Sequence, residues 1–369
     1  MLRVERPEPT DAPASMAPGA SDAPPPPLRA WSRLGGVLTA MDHVAQLSVH
    51  DRHLCFVTED GHAWCLRSEG VLRGGTVDAD ALARQLSSIA LPRPVREVAA
   101  GSTHACAIDV DGAAWCWGTN DQGELGDGSN VARLEPVRVS GLDGVIQIAA
   151  GERFTCARTL GDEVYCWGRN ESGQLGDGTR APRNRPVRVV AIPAAADLAA
   201  GQQHACVRSH DARAWCWGDN THHQLGCSAN TSPSCRAPNE PRPIEVPDGA
   251  HVLHLALGDM HSCARLVDES VSCWGERANS AGQTGYGRDL WPENWFADQI
   301  AAGGNASCAV MDDSHVRCWG DFAFDPFDRG EEPRRSYQLP DIRGAQHVEV
   351  GDRITCIRFG DGGARCWIR

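Results

Sequence analysis

Seven pairs of cysteines, each pair ten positions apart, recur along this chain: Cys55 and Cys65, Cys106 and Cys116, Cys156 and Cys166, Cys206 and Cys216, Cys263 and Cys273, Cys308 and Cys318, Cys356 and Cys366. The first cysteines of successive pairs are 51, 50, 50, 57, 45 and 48 residues apart. A period near fifty indicates a propeller or a solenoid rather than a doubly wound α/β fold. Two further cysteines, Cys227 and Cys235, sit together in one insertion.

The spacing within a pair also sets a register. Between Cys106 and Cys116, two short apolar stretches flank Val110-Asp111-Gly112, a three-residue loop with glycine where a left-handed residue is wanted. An aspartate holds the midpoint at Asp60, Asp111, Asp211, Asp268, Asp313 and Asp361. With a three-residue loop, 109 faces 113 and 106 stands opposite 116. Opposed residues of antiparallel strands lie roughly 4.5–5.5 Å apart at Cα, a distance a disulfide spans. Seven hairpin disulfides follow, and Cys227 with Cys235 is expected to close its own projecting loop. Alternation places Trp115 and Trp117 on the other face, beside Ala105 and Ala107. Further strands are expected at Pro136–Val139, Pro186–Val189, Pro243–Val246 and Val145–Ala149, giving about four per unit, which is a propeller blade.

The best-preserved unit reads IAAGERFTCARTLGDEVYCWGRNESGQLGDG, from Ile148 to Gly178, and its neighbours repeat that text. It resembles the regulator of chromosome condensation repeat. The resemblance runs from about residue 45 to the C-terminus and implies an all-β, seven-bladed β-propeller, here assigned to residues 31–369. The double-glycine signature of kelch propellers is absent. Some units depart from the pattern. The first has His50 where others carry glycine and Leu66 for the tryptophan, and the unit at Cys308 lacks the Asn-x-x-Gly-Gln-Leu-Gly tail. The chain ends at Cys366-Trp367-Ile368-Arg369, before that tail would begin. Ring closure is therefore expected through pairing with N-terminal strands, since an open ring leaves unpaired edges.

Residues 1–30, with Pro24 to Pro27 among Ala, Asp and Glu, lack the apolar content to fold and read as a disordered tail. No apolar stretch follows a basic start, so the tail is not a signal peptide. Seven in-register cysteine pairs nevertheless point to an oxidising, extracytoplasmic compartment, so an incomplete or misassigned N-terminus is expected; reduced thiols would instead place the chain in the cytoplasm. The net charge is −13, and all 35 permanently positive side chains are arginine, with no lysine. That surplus disfavours nucleic acid as a partner. The missing lysine excludes Schiff-base and P-loop chemistry. No run of eighteen apolar residues spans a membrane.

Catalytic motifs are few. There is no G-x-S-x-G elbow, no H-E-x-x-H and no G-x-G-x-x-G opening a helix. A His-x-Cys followed by a second cysteine occurs at His53, His104, His204 and His261, but the histidine becomes Phe154, Ala306 or Ile354 elsewhere while the cysteines persist. Disulfides with blade-core histidines are therefore expected, and no metal. Leu-Gly-Asp-Gly at 125–128 and 175–178 offers one carboxylate per loop, too few for calcium, and reads as a turn. The sequons begin at Asn170, Asn230 and Asn305.

Aromatic residues depart from the repeat at Trp291, Trp295, Phe296, Phe322, Phe324 and Phe327, beside Arg334 and Arg335. Such a mixture suits a protein-binding patch, because Trp, Tyr and Arg dominate hot spots. The chain is thus expected to be a monomeric, non-enzymatic platform without cofactor, binding a protein partner through loops on one face of a disulfide-stapled propeller. The family resemblance implies an alternative, guanine-nucleotide exchange on a small GTPase, for which no residue here can be matched. A propeller lyase or hydrolase acting on polysaccharide is a third class.

Overall fold

Short runs of β-branched, alanine and aromatic residues, broken by Gly, Asp and Asn, build successive antiparallel meanders. The computed structural model describes residues 29–31, 37–66, 86–227, 239–246, 251–276, 296–320, 337–339, 342–352 and 354–368. The chain enters through β1 (Arg29–Trp31) and β2 (Val37–Met41). The first complete blade is β3 (Val44–His50), β4 (His53–Thr58), β5 (Ala63–Leu66) and β6 (Leu86–Ile89). The second is β7 (Val95–Ala100), β8 (His104–Asp109), β9 (Ala114–Gly118) and β10 (Arg133–Arg138). The third is β11 (Val145–Ala150), β12 (Phe154–Thr159), β13 (Val164–Gly168) and β14 (Arg183–Arg188). The fourth is β15 (Ala195–Ala200), β16 (His204–Ser209), β17 (Ala214–Asp219) and β18 (Asn239–Glu245). The fifth shows three strands among the described residues, β19 (Val252–Leu257), β20 (His261–Leu266) and β21 (Val271–Gly275). The sixth is β22 (Ala297–Gly303), β23 (Ala306–Met311), β24 (Val316–Gly320) and β25 (Tyr337–Gln338). The seventh joins both ends of the chain: β26 (Ala345–Val350), β27 (Ile354–Phe359) and β28 (Ala364–Ile368) continue into β2 and β1.

Closure therefore follows the expected route. Thr39 stands opposite Cys366 and Met41 opposite Ala364, so the C-terminal strand has no free edge. Arg29 and Ala30, within the segment expected as tail, pair with Ala40 and Thr39. Among the described residues no helix is long and apolar enough to cross a membrane.

The hairpin register is the one the spacing demands. Cys55 stands directly opposite Cys65, Cys106 opposite Cys116, Cys156 opposite Cys166 and Cys206 opposite Cys216. Cys263 likewise faces Cys273, Cys308 faces Cys318 and Cys356 faces Cys366. Each of these pairs is disulfide-bonded at a Cα separation of 4.0–4.1 Å. Cys227 is also disulfide-bonded, while Cys235 lies outside the described residues. Trp115 and Trp117 face Ala107 and Ala105. Asp109 N donates to Ala113 O across the loop, and Gly112 takes φ 81° at its third position. At the loop midpoint, Asp268, Asp313 and Asp361 accept the N–H two residues on.

The core lies between blades. The Cys106 and Cys116 pair, Ile108 and Ala114 of the second blade pack with Val145, Ile148, Ala157 and Trp167 of the third. In three blades a tryptophan is fixed by the preceding repeat's tail: Trp167, Trp217 and Trp274 donate Nε1–H to the carbonyls of Glu124, Gln174 and Gln224 at 2.8–2.9 Å. The glycine two positions past that carbonyl, Gly176 for example, lies so close to the indole that a Cβ would come within 2.9 Å of Trp217 Nε1. The Asn-x-x-x-Q/E-Leu-Gly text thus encodes a seam, with Asn120, Asn170 and Asn220 each accepting the N–H of the buried leucine five residues on.

Candidate functional site

Inner strands from all seven blades line a central channel of about 200 Å³. One residue into each inner strand the register slips, a bulge repeated seven times. The slip ends at Gln46, Glu97, Gln147, Asp197, His254, Gln299 and His347. A bulge re-aims a side chain, and here it turns a polar residue along the inner belt toward the next blade. Gln299 Nε2 donates to Val348 O at 3.2 Å and its Oε1 accepts Val348 N at 2.9 Å. Glu97 Oε1 accepts Ile148 N at 2.9 Å. Gln147 donates to Leu198 O. At Asp197 and His254 the pattern lapses, leaving Asp197 Oδ2 and His254 Nδ1 buried without a hydrogen-bond partner.

Burial dominates the electrostatics of this belt. It pushes the Glu97 carboxyl up to about 7, a rise only partly offset by the Ile148 N–H and by Arg96 and Arg158. At the channel end where inner strands finish, Asp51, Glu152, Asp259 and Asp352 occupy equivalent turn positions. Burial, reinforced by the carboxylates of Asp352, Asp51 and Glu152, raises Asp259 to about 6.

The motif histidines are seam residues. His104 and His204 are fully buried, and desolvation lowers both to about 3, which keeps them neutral. His104 Nε2 lies 2.8 Å from Thr155 Oγ1, whose own proton goes to Glu124 O, so the histidine donates. His204 pairs with Ser262 in the same way at 2.9 Å, and Ser262 passes its proton to Gln224 O. His261 faces Ser307 at 2.8 Å. Where the histidine position is Phe154, the next blade offers Ala205 rather than a hydroxyl. His53 is the exception. Ala105 stands at the hydroxyl position across from it, and its ring donates Nδ1–H to Gly101 O at 2.9 Å. His53, Cys55 and Cys65 form a group of donor atoms all within 4.8 Å of one another.

Leu-Gly-Asp-Gly is a turn, as expected. Asp127 and Asp177 accept the N–H of Ser129 and Thr179 at 2.8 Å, and Arg183 pairs with Asp177. Asn170 of the first sequon is fully buried and donates to Ala181 O at 2.9 Å, which removes it from any glycosylating enzyme acting on the folded chain. Asn230 lies outside the described residues.

Of the residues expected to bind a partner, Phe296 is described, and it is exposed (40%). Its carbonyl accepts Asp312 N, which fixes it beside a hairpin tip. Trp291, Trp295, Phe322, Phe324, Phe327, Arg334 and Arg335 lie outside the described residues. The same end of the propeller carries apolar tips that belong to no motif. Val110, Leu160 and Val267 occupy the first loop position of their hairpins and are exposed, Leu160 by 75%. Each donates its N–H to the carbonyl of the residue leading into an inner strand, Pro94, Gly144 and His251 respectively. The signal was an apolar residue where three other blades carry Glu59, His210 and Asp312.

Residues 111–158, 162–208 and 211–265 match the regulator of chromosome condensation (RCC1) repeat, and a second profile of that repeat matches 95–124, 145–174, 195–224 and 297–324. The ultraviolet-B receptor UVR8 of Arabidopsis thaliana is 30% identical over 103 residues, 27% of this chain and 23% of the receptor. The matched segment thus spans about a quarter of that relative's length. Human WBSCR16 superimposes with a TM-score of 0.68 at 16% identity, covering 89% of this chain and 86% of that one. Prp20p of Saccharomyces cerevisiae, described with its binding to Gsp1p and histones, gives 0.67 at 18% identity, covering 88% and 82%. With repeat text over more than half its length and seven blades in the ring, the chain belongs to the RCC1 repeat family.

Proposed function

We propose that this chain is a non-enzymatic platform that binds a protein partner on the face of the propeller where the inner strands begin. The carrying observation is the set of apolar side chains Val110, Leu160, Val267 and Phe296, held on rigid hairpins around one end, while the opposite end gathers carboxylates. Apolar anchors on stapled turns lose little conformational entropy on association. The relatives support a binding role in kind: Prp20p is described as binding Gsp1p and histones. The acidic balance of this chain suits a protein better than a polyanion.

We further infer an oxidising, extracytoplasmic setting from the seven bonded hairpins. Alkylation of protein isolated without reductant should modify no hairpin cysteine; modification of fourteen thiols would place the chain in a reducing compartment. For the platform, L160D with F296D should abolish partner binding while the melting temperature stays unchanged. Alanine at Trp295 and Phe324 extends the test to the rest of the aromatic segment. Full binding by both variants would assign these side chains to packing and overturn the reading.

A further inference from the structure

We propose that, once its disulfide is reduced, the Cys55 and Cys65 pair together with His53 binds a zinc-class divalent cation at the seam between the first and second blades. Three observations converge on it. The donor atoms of these residues lie within 4.8 Å of one another, the one such group among the described residues. His53 Nε2 is 3.9 Å from Cys55 Sγ. In a tetrahedral site with Zn–S about 2.3 Å and Zn–N about 2.0–2.1 Å, the S···N edge is about 3.6 Å, close to the distance seen, while the S···S edge is about 3.8 Å, so the two sulfurs, about 2.0 Å apart when bonded, must separate by about 1.7 Å on reduction.

The tautomer singles out this blade. Gly101 O can only accept, so His53 carries its proton on Nδ1 and presents a bare Nε2 lone pair to the sulfur. A histidine whose second nitrogen donates to a backbone carbonyl is the usual arrangement of a zinc ligand. His104 and His204 have the opposite tautomer, with Nε2–H given to a threonine or serine hydroxyl, and offer their cysteines nothing. The difference traces to Ala105, which lacks the hydroxyl that Thr155 and Ser262 provide. His53 is also only partly buried and borders the channel end carrying Asp51, Glu152, Asp259 and Asp352, a negative mouth that concentrates cations.

The chemistry balances in two steps. An external dithiol or phosphine supplies two electrons and, with two protons, converts the bond between Cys55 and Cys65 into two thiols. The cation then displaces both thiol protons and takes the Nε2 lone pair, leaving one position for water.

Cobalt(II) is the probe, because thiolate ligation gives it an intense near-ultraviolet charge-transfer band. The phosphine-reduced full chain, shown to be folded by near-ultraviolet circular dichroism, should bind one cobalt per chain with that band. H53F should lower the affinity at least tenfold and still fold, because it copies the seam of Phe154 against Ala205 already present between the third and fourth blades. No band in the folded reduced chain, or an unchanged affinity in H53F, overturns the proposal. If complete reduction unfolds the chain, C65S provides the second test without reductant: Cys55 is then a free thiol while the other hairpin bonds stay intact. A single-thiolate band that H53F removes is expected, and its absence from folded C65S also overturns the proposal.

Discussion

Gln46 clips the first blade to the second by a two-way contact with Val98: its Nε2 donates to Val98 O at 3.0 Å and its Oε1 accepts Val98 N at 3.0 Å. Gln299 repeats the arrangement on Val348. Glu97 occupies the same position and, once ionised, can only accept; burial raises its carboxyl from 4.5 to about 7. The folded chain therefore holds this proton more tightly than the unfolded one. The resulting stability is complete below pH 4.5 and is lost as pH rises through 7, with Asp259 adding a loss of the same sign around pH 6. E97Q should complete the clip and raise stability by about 1–3 kcal/mol at pH 8, with little gain at pH 4. Urea unfolding at the two pH values measures it; equal gains would show that ionisation is irrelevant.

The pairing of His204 with Ser262 explains why the histidine varies while the cysteines persist. Two seams are complementary in different ways, imidazole against hydroxyl at His204 and Ser262 and Phe154 against Ala205, while His53 against Ala105 is satisfied by Gly101 O instead. S262A leaves His204 Nε2–H buried and unpaired and should cost about 1–3 kcal/mol. H204F/S262A copies the apolar seam and should recover much of that loss. A double-mutant cycle reads the coupling, and strict additivity would refute it.

Hairpin loops need a left-handed third residue, and Gly112 supplies it without strain at φ 81°. Glu269 and Ala212 are forced to 63° and 60°. E269G should therefore stabilise by roughly 1 kcal/mol, set by the left-handed penalty of a residue with a Cβ and reduced by the added freedom of the unfolded chain. Thermal unfolding checks the sign, and a lower melting temperature would count against the turn argument.

Closure depends on β2, which brings Met41 into a core shared with Leu47, Phe56 and Ile354. M41A should cost about 2–5 kcal/mol, the range for a buried methionine. Because β2 also covers β28, exposure of that edge should make the variant self-associate at lower temperatures than the parent, which light scattering during a thermal ramp would show. An unchanged scattering onset would mean that the edge stays covered.

The cysteine spacing by itself determined the blade count and the hairpin register. Each depends on contacts between residues about ten apart, or on the period of those contacts, and such relations are written in a single repeat. The seam motif was legible as text, though its reason was not: Gln174 O meets Trp217 Nε1 across 43 positions. Only the tertiary structure decided that a bulge turns Gln46, Glu97 and their equivalents into an inter-blade belt, since a slip of one residue leaves no trace in composition. It alone decided the proton position on His53, which depends on Gly101 O and on the missing hydroxyl at Ala105, both in the next blade. Likewise Phe296 and Leu160, read in sequence as one aromatic among several and one loop residue, share a face because inner strands start where hairpins turn. What pairs residues some fifty positions apart is the curvature of the ring, and no local pattern encodes it.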